Sequence, residues 1–130
     1  MIQSTTNISQ PRCLIVCALA AEATFFIEQY RLKKHTQLGK KTIFCDANKQ
    51  FMLIVSGIGA IESAIATSLL YQYAGASHCV LFNVGLAGHG HAPINQLCWA
   101  HRVEDAQTHK MWHPHLPFRC PLPSYPLLSC

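Results

Sequence analysis

Three short apolar runs limit what this chain can fold into: Cys13-Leu14-Ile15-Val16-Cys17, Phe51-Met52-Leu53-Ile54-Val55 and Cys79-Val80-Leu81-Phe82-Asn83-Val84. None alternates polar with apolar, so each reads as a strand covered on both faces. The first two lead into segments with helical spacing. In the first segment, Phe25, Phe26 and Tyr30 form an apolar stripe while Glu28 and Arg31 point out. In the second, Ile61, Ile65 and Leu69 recur at i, i+4 and i+8, and Gly75 supplies a stop. Buried strands that alternate with amphipathic helices require an α/β architecture with a largely parallel sheet.

The expected order is β, α, β, β, α, β, loop, β. Strands fall at about 12–18, 41–45, 50–55, 79–84 and 96–103, and helices at about 20–31 and 60–73. Asp46-Ala47-Asn48-Lys49 joins two of the strands, and Asp and Asn in so short a link predict a hairpin. Residues 1–11 read as a flexible leader, 12–112 as one α/β domain and 113–130 as a separate end segment. Five prolines between His113 and Cys130 predict little strand or helix there, and its apolar side chains would stand uncovered. That segment reads as the mark of a truncated domain.

Composition narrows the function classes. A chain of 130 residues that is 50% hydrophobic and 12% charged is a folded, core-rich domain. The net charge of +4 is carried partly by Lys33-Lys34 and Lys40-Lys41, two pairs flanking a polar stretch. A nucleic-acid surface needs a denser basic stripe with interleaved aromatics, so no nucleic-acid partner is expected. No apolar run reaches membrane-spanning length, so no membrane partner is expected either. Seven cysteines without a C-x-x-C pair, four of them in apolar strand-like runs, favour free thiols and a cytoplasmic location. His89/His91 and His113/His115 lack the i, i+4 spacing of a helical zinc site, so no metal and no cofactor are expected.

The strand ends carry the candidate chemistry. Glu22 lies just past the first strand, where open α/β sheets bind ligands. It also suits the first turn of a helix, where the macrodipole favours an acid. Ser56-Gly57-Ile58-Gly59 precedes a helix and could receive an anion on free backbone N–H groups, although tight packing alone also calls for such glycines. Gly85-Leu86-Ala87-Gly88 would let backbone approach a flat ligand, or is a plain loop.

Taken in order, strand-A-L-A-A-E-A, strand-S-G-I-G-helix and strand-N-V-G-L-A-G resemble the purine nucleoside phosphorylase/uridine phosphorylase superfamily, closest to its methylthioadenosine/S-adenosylhomocysteine nucleosidase branch. There the matching motifs are G-A-M-E-E-E, S-G-I-G and N-T-G-S-A-G-G. The resemblance spans residues 12 to 105 and implies an incomplete, N-terminal portion of a three-layer α/β/α domain with a mixed, largely parallel sheet. It implies Glu22, on the third Glu of the first motif, as the catalytic residue that positions the attacking water. Ser56, Gly57 and Gly59, with Asn83, Gly85, Leu86, Ala87 and Gly88, are implied as substrate-binding positions. Ala20 and Ala21 replace the other two acids, and Leu86 stands where the family has a hydroxyl.

The partner so implied is a small-molecule purine nucleoside or thionucleoside, with phosphate as a possible second ligand and a homo-oligomer as the expected assembly. A phosphate nucleophile needs cationic clamping. The family's phosphate-binding Arg is replaced by Asn83, which favours hydrolysis over phosphorolysis. The ribose-gripping M-E pair and the leaving-group acid of the family have no counterpart in 106–130. The isolated chain is therefore expected to be impaired or inactive; the alternative is a non-catalytic nucleoside-binding or self-associating module.

Overall fold

β1 (Arg12–Cys17) is the strand around which the first unit is built, because its alternate residues enter two different cores. A computed structural model describes residues 12–75, 78–116 and 118–129; the expected leader at 1–11 lies outside them. After β1 come α1 (Ala20–Gln29), β2 (Lys33–Leu38), β3 (Lys41–Cys45), β4 (Phe51–Val55), α2 (Ala60–Tyr73) and β5 (Cys79–Val84). The five strands form one sheet in the order β2-β3-β4-β1-β5. β1 is parallel to β4 and to β5, while β2-β3-β4 is an antiparallel meander, so the sheet is mixed.

Leu14 and Val16 join Ile43, Met52 and Ile54 beneath Ala66, Leu70 and Ala74 of the α2 segment. Ile15 and Cys17 join Leu53 beneath Ala23 of α1, with Phe26 and Ile27 packed alongside. Helices therefore cover both faces, giving the α/β/α layering. Each Leu or Ile removed from water in these clusters contributes roughly 1.5–3 kcal/mol.

Both helices follow the expected stripe only in part: Phe26 and Tyr30 pack inward as expected and Leu69 packs against the core, but Phe25, Ile61 and Ile65 face out. On α1, Phe25 is 63% exposed, and the packed positions are Ala23, Phe26 and Ile27. Tyr30, just past α1, stacks on Phe51 with ring centroids 4.1 Å apart. On α2, Ile61 is 76% exposed and Ile65 is also exposed, whereas Ala66, Leu70 and Ala74 are buried at i, i+4, i+8. The small Ala66 and Ala74 let the helix approach the sheet closely beside Leu70, and Ile61 and Ile65 are left outside. The helix stops as expected at Gly75, whose φ of +84° no other residue adopts readily. The Arg12 guanidinium donates to the Ala74 carbonyl at that end.

β2 has no hydrophobic signature and was not expected. Lys-Lys-His-Thr-Gln-Leu forms an edge strand against β3, where lysines facing water discourage further pairing. The expected hairpin between β3 and β4 is present, with the Asp46 carboxylate accepting the Phe51 N–H at 2.9 Å.

The chain forms two compact units that meet in sequence between Ala87 and Gly88. The second unit contains β6 (Trp99–Asp105), β7 (Met111–Trp112) and β8 (Ser124–Ser129), in the order β7-β6-β8. The Pro-rich end thus contains a strand: β8 runs parallel to β6 from Trp99↔Ser124 to Asp105↔Ser129. Pro126 is tolerated because β8 is an edge strand with an irregular register near that residue. Asp105 closes the link to β7 by accepting the N–H groups of Gln107 and Thr108 and the Thr108 hydroxyl. Those bonds hold its carboxyl below the ordinary carboxylate value.

Candidate active site at the strand ends

Parallel pairing brings the carboxyl ends of β4, β1 and β5 to one edge, since Cys17 is level with both Val55 and Val84. Glu22 lies there, in the first turn of α1. Its Oε2 accepts the Leu19 N–H at 3.0 Å, and its Oε1 accepts the Leu86 N–H at 3.1 Å. The first bond is one half of a capping box. The second ties α1 to the turn after β5. Gly85 permits this approach, because a Cβ there would stand 3.2 Å from Glu22 Oε1.

The Ser56-Gly57-Ile58-Gly59 turn is partly committed to the fold. The Ser56 and Gly57 N–H groups continue the pairing with β1, donating to Cys17 O at 2.7 Å and Ala18 O at 3.0 Å. Ser56 is 2% exposed, and its hydroxyl donates to the Gly57 carbonyl. The turn closes at Gly59, where φ 103° and ψ 157° define a conformation essentially restricted to glycine. Lys41, read from sequence as part of a solvated basic edge, instead reaches this turn and donates to the Ser56 carbonyl and to the Glu62 carboxylate. Only the alternation along β3, with Lys41 two residues before buried Ile43, could have signalled it.

Of the other expected site residues, Asn83 is exposed on β5 at the level of Val16, and Leu86 is 90% exposed. Ala87 ends the first unit, while Gly88 opens the second and is described with that unit. Cys17 is no competing nucleophile: burial, and then the Glu22 charge, push its thiol up to about 11. Among the described residues no group of three or more His, Cys, Asp or Glu could hold a metal. His89 instead braces its own loop, Nδ1 accepting the N–H groups of His91 and Ala92. No described helix is long and apolar enough to cross a membrane.

Glu22 and the turns after β4 and β5 thus share the edge at the carboxyl ends of parallel strands, the edge at which open α/β sheets bind ligands. The fold is that of solved nucleosidases. A 5'-methylthioadenosine/S-adenosylhomocysteine nucleosidase from Helicobacter pylori, crystallised with butyl-thio-DADMe-Immucillin-A, superposes with a TM-score of 0.65 at 21% identity, covering 75% of this chain and 44% of that one. The Streptococcus pyogenes S-adenosylhomocysteine nucleosidase, in complex with 5-methylthiotubericidin, gives 0.61 at 22% identity over 75% and 42%. A futalosine hydrolase mutant from Helicobacter pylori gives 0.60 at 20% identity over 75% and 46%. The chain therefore spans less than half the length of these solved proteins. No family model and no curated protein matches the sequence.

Proposed function

We propose that this chain provides one half of a site that cleaves the N-glycosidic bond of a purine nucleoside or thionucleoside by hydrolysis, with Glu22 positioning the attacking water. The observation that carries the reading is the anchoring of Glu22 by backbone N–H groups from two strand ends. A carboxylate offers about four acceptor positions, so two such bonds leave others for a water. The Gly59 and Gly85 turns would lie against the nucleoside, with Ser56, Gly57, Asn83, Leu86 and Ala87 as neighbouring binding positions of the first unit. Support comes from the fold shared with proteins named as nucleosidases and a hydrolase.

Cleavage also needs a proton for the departing base. In the first unit Glu62 is paired with Lys41, and in the second Asp105 is engaged in its own turn. Alone, the chain would bind nucleoside with little or no turnover. A homo-oligomer in a reducing cytoplasm completes the proposal, and the six described cysteines are unbridged.

Calorimetry with methylthioadenosine, paired with an assay for adenine, tests it. Saturable binding with adenine release far below ordinary enzyme rates is expected. Absence of binding removes the nucleoside assignment, and rapid release removes the claim of impairment. The capping-box bond favours a second reading in which Glu22 is a structural clip. Glu22→Gln then lowers stability and leaves nucleoside affinity and residual turnover intact.

A further inference from the structure

Lys41 and Glu62 form an internal ion pair against the Ser56–Gly59 turn. The Lys41 side chain is only 15% exposed, and its ammonium is engaged by the Ser56 carbonyl and by the Glu62 carboxylate. Glu62 lies in the first turn of α2, with its side chain folded over Gly57. A Cβ on Gly57 would stand 3.7 Å from Glu62 Cβ and 3.8 Å from its Oε2. The carboxyl is held below its ordinary value, first by the hydrogen bond from Lys41 and then by the Lys41 charge. The Ser56 and Gly57 N–H groups and the Ser56 hydroxyl are already bonded within the fold. The cation at this turn is thus neutralised from within.

We propose that Glu62 is a specificity-determining residue: a built-in anion that holds the Lys41 ammonium and keeps inorganic phosphate out of the turn, leaving water as the nucleophile. Its catalytic meaning rests on the nucleosidase-type reading above; the competition between Glu62 and phosphate does not. In hydrolysis the sugar C1'–N bond breaks as a C1'–O bond forms to water. One water proton goes to the base nitrogen and the other stays on the sugar hydroxyl. In phosphorolysis the new bond would go to a phosphate oxygen and yield a sugar 1-phosphate.

The test is a titration of inorganic phosphate, at fixed pH and chloride, into the wild type, Glu62→Gln, Glu62→Ala and the double variant Lys41→Met/Glu62→Ala. Thermal melting confirms that each is folded, and the half-exposed Glu62 position should accept Gln readily. Either Glu62 variant is expected to bind phosphate at least roughly tenfold more tightly than the wild type, and the double variant to lose that gain. Wild-type binding as tight as that of the Glu62 variants overturns the proposal. So does a folded Glu62→Gln that takes up no phosphate, or a gain that survives removal of Lys41. A wild type that fails to bind methylthioadenosine defeats the nucleosidase reading and leaves the phosphate titration just as decisive for Glu62.

Discussion

The Glu22 carboxylate accepts the Leu86 backbone N–H at 3.1 Å across a separation of 64 residues. That bond exists because β1 and β5 are parallel and in register at Cys17↔Val84, so the turns beyond them lie side by side. With the Leu19 N–H on its other oxygen, Glu22 joins a helix start to a remote turn.

Glu22→Ala should therefore lose about 0.5–2 kcal/mol of stability, the range for loss of a helix cap, since the two exposed backbone donors can turn to water. Glu22→Gln should lose less, since one amide oxygen still accepts. Urea unfolding of both variants checks the order.

Gly59→Ala should cost about 1–3 kcal/mol from backbone strain alone. Nothing lies within 4 Å of the added Cβ, so steric overlap contributes nothing, while φ is +103°. Equilibrium unfolding gives the magnitude, and a neutral result would mean that the turn readily adopts another shape.

The inward face of α2 can be tested with two truncations. Leu70→Ala, at a fully buried position, should cost about 2–5 kcal/mol. Ile61→Ala, on the exposed side, should stay within about 0.5 kcal/mol. The opposite order would put Ile61 and Ile65 on the inward face.

Burial raises the Cys13 thiol from 9.0 to about 11, and burial followed by the Glu22 charge does the same for Cys17. Between about pH 9 and 11 the unfolded chain loses these protons and the folded chain keeps them. The folded state then binds more protons, so stability is complete below pH 9 and falls as pH rises toward 11. Thermal melting at pH 8 and at pH 10.5 should show the drop. In Glu22→Gln the Cys17 pKa should move down while that of Cys13 stays, as followed by thiolate absorbance at 240 nm.

Local pattern carried much of the fold. β1 and β4 were legible because strands covered on both faces leave continuous apolar runs. β5 was legible from the same kind of run, although it lies at the sheet edge with Leu81 and Asn83 exposed and no residue buried. Asp46 and Gly75 marked the turn and the stop. β2 was not legible, because an edge strand is held by backbone bonds to β3 and leaves no hydrophobic record. β8 was hidden for a related reason: prolines argue against a strand unless it lies at an edge. The helix faces were read in part: Phe26, Tyr30 and Leu69 pack as expected, while Phe25, Ile61 and Ile65 face out. Packing against the sheet instead selected Ala23, Ala66 and Ala74, whose small size allows close approach.

The sequence alone determined an α/β core, the order of its main elements and the presence of Glu22 and two glycine turns at strand ends. Those features are local, written in spacing and residue type. Only the tertiary structure decided that Glu22 is bound to Leu86 and that Lys41 meets Glu62 over Gly57. Each of those contacts depends on the register between strands distant in the chain, which no local pattern encodes.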